Sequence, residues 1–201
     1  QVSATTEASI TPLLANAFPA NPHVPGQLAD NFSLGAAAQL EGLSWWGVYP
    51  GPGGSSPDDF LLRLYGDISG TGSVLAQVSV GAAPRSDTGT SLAGFTVYQY
   101  DFTLPTPINL AAATPYYLFV ENRGGPDWFW LTGAPGDAEF WTRLEEPDAW
   151  ESSLAAFGQD GATDLAFRLT GRFATQIPDP GSLALLALAT ARLGLSRRRK
   201  P

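Results

Sequence analysis

Residues 60–66 read Phe60-Leu61-Leu62-Arg63-Leu64-Tyr65-Gly66. In an extended chain successive side chains point to opposite faces, so Phe60, Leu62 and Leu64 share one face and Leu61, Arg63 and Tyr65 the other. That alternation describes a strand with one buried face and one wetter face. Leu165, Phe167 and Leu169 alternate in the same way with Ala166, Arg168 and Thr170. Working outward from these runs, strands are predicted at 28–34, 39–49, 60–66, 74–80, 94–104, 116–122, 127–131, 139–144 and 164–170. Turn chemistry separates them, as in Pro50-Gly51-Pro52-Gly53-Gly54 and Arg123-Gly124-Gly125-Pro126. No long helical periodicity occurs before residue 180. Many short strands broken by such turns predict an all-β fold: a two-sheet antiparallel jelly-roll-like sandwich, with a closed barrel as the competing architecture.

Composition narrows the chemistry. The 201 residues are 44% hydrophobic, enough for a packed core. Cysteine is absent, which removes disulfides, thiolate metal sites and cysteine nucleophiles. His23 is the single histidine; it sits between Pro22 and Pro25, and there is no G-x-S-x-G elbow to accompany it in a catalytic triad. The single lysine is Lys200, so the body has none for a Schiff base or a phosphate cradle. Charge is divided sharply along the chain. Residues 1–176 hold eighteen Asp/Glu against six Arg, a net of −12, whereas residues 177–201 hold Asp179 against five cations, a net of +4. The acidic balance argues against nucleic acid as a partner. Three segments follow: an extended lead-in over 1–27, with a helical turn expected near Leu13 to Phe18; a β body over 28–172; and a linker and tail over 173–201. Residues 1–10 show neither a basic n-region nor an apolar h-region.

The tail has three parts in a fixed order. Pro178-Asp179-Pro180 stops any regular structure from running on. An Ala/Leu-rich stretch carrying Leu183, Leu185, Leu186, Leu188, Leu193 and Leu195 favours a short apolar helix. Arg197, Arg198, Arg199 and Lys200 then close it, and cations after an apolar helix mark the cytoplasmic side of a membrane. This order resembles the PEP-CTERM sorting tail of exported proteins in Gram-negative bacteria. In that family a Pro-Glu-Pro-like motif, an apolar segment and an Arg-rich end are recognised by an exosortase, an integral membrane cysteine protease. Asp179 stands where the family usually has Glu, and Arg192 interrupts the apolar segment. Gly181 to Ser196 spans about 24 Å as helix at ~1.5 Å per residue, short of a ~30 Å hydrocarbon core. The segment therefore suits a transient sorting signal better than a permanent anchor. The alternative is an amphipathic or core helix with a solvated basic end.

The body adds to the resemblance. Ala29-Asp30-Asn31-Phe32-Ser33-Leu34, Leu43-Ser44-Trp45-Trp46-Gly47-Val48-Tyr49, Asp58-Asp59-Phe60, Pro115-Tyr116-Tyr117-Leu118-Phe119-Val120-Glu121-Asn122, Asp127-Trp128-Phe129-Trp130 and Asp164 to Gly171 look like the β-rich ectodomain found ahead of such tails. The resemblance implies export, transient anchoring in the inner membrane with exosortase as partner, and release to the cell surface or extracellular matrix. An export signal is expected with it, and a structural or adhesive role tied to exopolysaccharide or biofilm. It implies no catalytic activity.

Two other functions compete. Exposed indoles stack on sugar rings, so Trp46, Trp128 or Trp130 on a concave sheet would make a carbohydrate-binding module with polysaccharide as partner; otherwise they are core residues. Trp45 and Trp46 are adjacent, which predicts one inside and one outside. A glycoside hydrolase needs two carboxyls about 5–10 Å apart, with Glu41, Glu121, Glu139 and Asp127 as candidates. No cofactor is expected, except that Asp58 and Asp59, after Gly53-Gly54, are oxygen ligands suited to Ca²⁺ if they are not simply turn formers. Glu145, Glu146, Asp148 and Glu151 read as a solvated acidic loop.

Overall fold

A computed structural model describes residues 2–4, 17–19, 26–50, 58–124, 128–133, 136–158 and 163–173, the first two segments as backbone alone. The lead-in contributes β1 (Val2–Ala4) and β2 (Ala17–Pro19). The body follows with β3 (Gln27–Phe32), β4 (Ala38–Val48), β5 (Phe60–Asp67), β6 (Ser73–Gly81), β7 (Arg85–Leu92), β8 (Phe95–Leu110) and β9 (Tyr116–Asn122). It closes with β10 (Phe129–Leu131), β11 (Phe140–Arg143), β12 (Glu151–Ser152), α1 (Ser153–Phe157) and β13 (Phe167–Phe173).

The strands form two antiparallel sheets, so the fold is all-β. In the first, β8 runs along one side of β4, while β13 and then β10 line the other; β7 lies outside β8, β1 outside β13 and β2 outside β10. The second has the order β12-β11-β3-β9-β5-β6. Alternation puts Phe60, Leu62 and Leu64 into the interior, as predicted, where they meet Trp45, Tyr100 and Phe167 of the first sheet. The opposite face, expected to be wetter, is also buried at Leu61 and Tyr65, which pack in a second apolar cluster. Trp45 stacks on its cross-strand neighbour Tyr100 at 5.5 Å and 9°. Phe60 of the opposite sheet meets both rings edge-on, at 5.0 and 4.7 Å. Edge-to-face and offset pairs of this kind stabilise a core by about 0.5–1.5 kcal/mol each beyond their area.

Several expectations are corrected. The chain 85–92 forms β7 although Arg85-Ser86-Asp87-Thr88-Gly89-Thr90 has no apolar alternation to announce it. It is an outermost strand, and one-sided pairing to β8 is its main support. β8 continues to Leu110, past the predicted end at 104 and through Pro105 and Pro107, because the ladder with β4 breaks between Leu40 and Gly42 and lets residues 104–107 bulge. β12 and α1 were not anticipated. Ser152 caps α1, its hydroxyl accepting from Ala155 N, and Gly158 ends it. Ala17 and Phe18 lie in β2, where a helical turn was expected. β13 runs to Phe173, one residue past the predicted body. The expected C-terminal helix, like His23, lies outside the described residues.

Candidate functional site

Three clusters gather the chemistry-bearing side chains. The first joins both sheets at one end of the sandwich, where β4 leaves, β9 ends and β5 and β7 begin. The Tyr49 hydroxyl lies in a very short contact with the Asp58 carboxylate. Asn122 Nδ2 donates to Tyr49 Oη at 2.7 Å and lies 3.4 Å from Asp58 Oδ1. Arg85 Nη1 is 3.4 Å from Asp58 Oδ2, and its guanidinium sits over the Tyr98 ring at 4.5 Å. Burial is the main force here. It raises the Asp58 carboxyl and lifts Tyr49 strongly, and it pushes the Tyr100 hydroxyl up to about 12. Asp59 instead faces Arg123 at 3.9 Å. Asp58 and Asp59 thus each face a guanidinium. Among the described residues, no three His, Cys, Asp or Glu side chains are grouped to hold a metal ion.

The indoles singled out for sugar stacking are corrected by their burial. Trp46, Trp128 and Trp130 are 1%, 0% and 0% exposed. Trp128 is wedged edge-on between Phe60 and Tyr100, and Trp130 Nε1 donates to Ala166 O at 2.9 Å. Trp45 and Trp46 do point to opposite faces, but both are buried. The outer face around Trp46 is itself apolar, built from Val48, Val97, Leu131 and Ala166, with the Arg168 guanidinium over the indole at 5.2 Å.

The outer face of the second sheet is different. Half of it is sealed: Tyr65 and Phe119 are fully buried under Trp150. Arg143 lies on Trp150 at 4.4 Å and binds Gln27 Oε1 at 2.7 Å and Glu146 at 2.9 Å. Glu146 also pairs with Arg63 at 2.6 Å, so one member of the expected acidic loop is an ion-pair bridge. The other half is open. Tyr117 and Trp141 are half-buried neighbours, ring to ring at 6.1 Å and 89°. Partial burial, followed by the charges of Asp67, Asp137 and Glu139, raises the Tyr117 hydroxyl. Asn31 Nδ2 donates to Asp137 Oδ2 at 2.6 Å beside them. Trp141 was one indole among six in the sequence. Its signal was its place one residue after the inward-facing Phe140, just as Tyr117 follows Tyr116.

The remaining carboxylates are dispersed. Glu41 pairs with Arg172 at 2.6 Å on the first sheet, while Glu121 and Glu139 belong to the second-sheet side, Glu121 accepting from Gln27. Asp127 lies outside the described residues. A buried pair escaped sequence reading. Asp30 accepts from Asn31 N and Leu165 N, and Asp164 from Gly136 N and Ala138 N, which fixes loop backbones around β13. Pro178, Asp179 and Pro180, the leucines 183–195 and Arg197–Lys200 also lie outside the described residues, among which no helix is long and apolar enough to cross a membrane. No model of a known protein family matches the chain, and no curated protein matches it either.

Proposed function

We propose that this chain is a non-catalytic structural or adhesive protein. Its acidic, jelly-roll-like body is exported, and its tail is an exosortase sorting signal. The observation that carries the reading is the order of parts after β13. β13 ends at Phe173, 52% exposed, and the sequence beyond it reads Pro178-Asp179-Pro180, then the apolar run, then the four cations Arg197–Lys200. In the proposed sequence the tail pauses in the inner membrane with Arg197–Lys200 on the cytoplasmic side. Pro178-Asp179-Pro180 is presented near the outer face, and the body passes to the surface or the polysaccharide matrix. Mass spectrometry of the mature protein from its native host is the test. The reading expects the basic end to be missing, and deletion of Arg197–Lys200 to change localisation. An intact tail, with secretion unchanged by the deletion, overturns it.

A second reading, a carbohydrate-binding module, is favoured by the open aromatic pair on the second sheet rather than by the buried indoles. Tyr117 and Trp141 offer apolar ring surface beside the Asn31 amide and the Asp137 carboxylate, the mix that sugar recognition uses. Polysaccharide pull-down that is lost in Trp141→Ala supports it, and binding indifferent to Trp141 and Tyr117 refutes it.

A further inference from the structure

A strand at a sheet edge presents unpaired N–H and C=O groups, and proteins guard such edges with charge, proline, bulges or short length. The edges of this sandwich are not guarded alike. β7 carries Arg85 and Asp87, and its register with β8 breaks between Asp87 and Ser91, where Gly89 has φ 72°. Past Tyr100, β8 loses β7 as a neighbour, and there it carries Asp101, Pro105 and Pro107. β12 is two residues long and passes directly into α1. β6 is the contrast. Ser73–Gly81 reads SVLAQVSVG, nine residues without a charge or a proline. Among the described residues it pairs with β5 alone. Gln77 and Ser79 are exposed, as are Val74 at 46% and Leu75 at 55%. Bulges in β6 at Leu75 and Val80 shorten the regular ladder to Ala76–Ser79 without charging it.

We propose that β6 is a self-pairing edge: two copies of the chain join β6 to β6, antiparallel, about a two-fold axis at Gln77, and so continue the six-stranded sheet from one copy into the next. Symmetry and charge argue for a second copy as the occupant. Directly opposed residues of an antiparallel pair lie on one face. An axis at Gln77 therefore sets Ala76 against Val78 of the second copy on the core side, and amide against amide on the outer side. Gln77 Oε1 also accepts from Arg63 Nε of β5 at 2.7 Å. Residues 1–176 carry a net −12, so two bodies repel wherever their carboxylates are brought face to face. Along β6 no charge is opposed to its like. A four-residue ladder flanked by Val74 and Leu75 is small beside the ~1,200 Å² of a stable interface, so the association is weak and concentration-dependent. The proposal is independent of the tail's role.

The chain has no cysteine, so single introduced ones report cleanly. Full-length Gln77→Cys is compared under mild oxidation with Ser86→Cys, an exposed position on the guarded edge β7. Gln77→Cys is expected to form disulfide dimers at least tenfold faster. In sedimentation equilibrium of otherwise unmodified full-length chains, Gln77→Glu keeps its Arg63 partner yet opposes two carboxylates on the axis, and is expected to weaken dimerisation at least tenfold. Equal cross-linking rates, a wild-type chain that stays monomeric at high concentration, or a Gln77→Glu chain that dimerises as wild type would each overturn the proposal.

Discussion

Gly47→Ala is expected to cost more stability than its single methyl suggests. Gly47 sits in β4 on the core side, opposite Trp130 of β10 in the ladder. A Cβ there would fall within the indole of Trp128, far inside the ~3.5–4.0 Å of ordinary carbon contact. The indole has nowhere to move: it is 0% exposed and held edge-on by Phe60 at 5.1 Å and Tyr100 at 6.1 Å. Overpacking a core usually costs 1–3 kcal/mol, and a pinned ring places this variant at about 3 kcal/mol or more. For a chain of this length that is a fall in Tm of about 6–12 °C. Urea unfolding followed by far-UV circular dichroism gives the number, provided the slope is unchanged. Trp128→Leu removes the ring that the added methyl would meet, so the double variant should be less destabilised than the sum of the singles by about 1.5 kcal/mol or more. The reasoning is refuted if Gly47→Ala unfolds within about 0.5 kcal/mol of wild type, or if the two changes simply add.

Arg143→Met should destabilise by about 2–3 kcal/mol in the same assay, since it removes charge-assisted bonds to Gln27 and Glu146 from a side chain 1% exposed. Arg143→Lys should not restore stability, because one ammonium cannot replace the flat fork that also covers Trp150. Stability should fall as pH rises above the ordinary carboxyl range. Burial raises Asp30 well above that range, with Asp164 and Asp137 adding to it, and burial also raises Asp58 and Asp164. A carboxyl raised on folding holds its proton more tightly in the native state, so its stabilisation is full at low pH and is lost as pH passes its native value. Glu146 works the other way. Burial raises it, but the hydrogen bond from Arg143 and the charge of Arg63 carry it lower; it is half exposed and counts for less. A urea midpoint that climbs between about pH 5 and pH 8 would contradict this assignment. In fluorescence, Trp141→Phe should remove most of the acrylamide-quenchable emission, since the other five indoles are at most 6% exposed. An unchanged accessible fraction would place another indole at the surface.

The alternation of Phe60, Leu62 and Leu64 against Leu61, Arg63 and Tyr65 is a local property, because a strand's side-chain period is set by backbone geometry alone. It was legible in the sequence, and so were the all-β class and most strand positions. Strands without such a pattern were not legible. β7 exists because β8 offers it a ladder, and β8 passes Pro105 and Pro107 because β4 allows a bulge there. Burial was least legible of all. Adjacency puts Trp45 and Trp46 on opposite faces, but only the packed sheets show that both faces are apolar and both indoles are hidden, while Trp141 stays half open. The same holds for Asp58, whose neighbours Tyr49, Arg85 and Asn122 lie 9, 27 and 64 residues away in the chain. Which face a residue occupies follows from its nearest neighbours in sequence. What covers that face, and which charge meets which, depends on contacts between distant segments that no local pattern records.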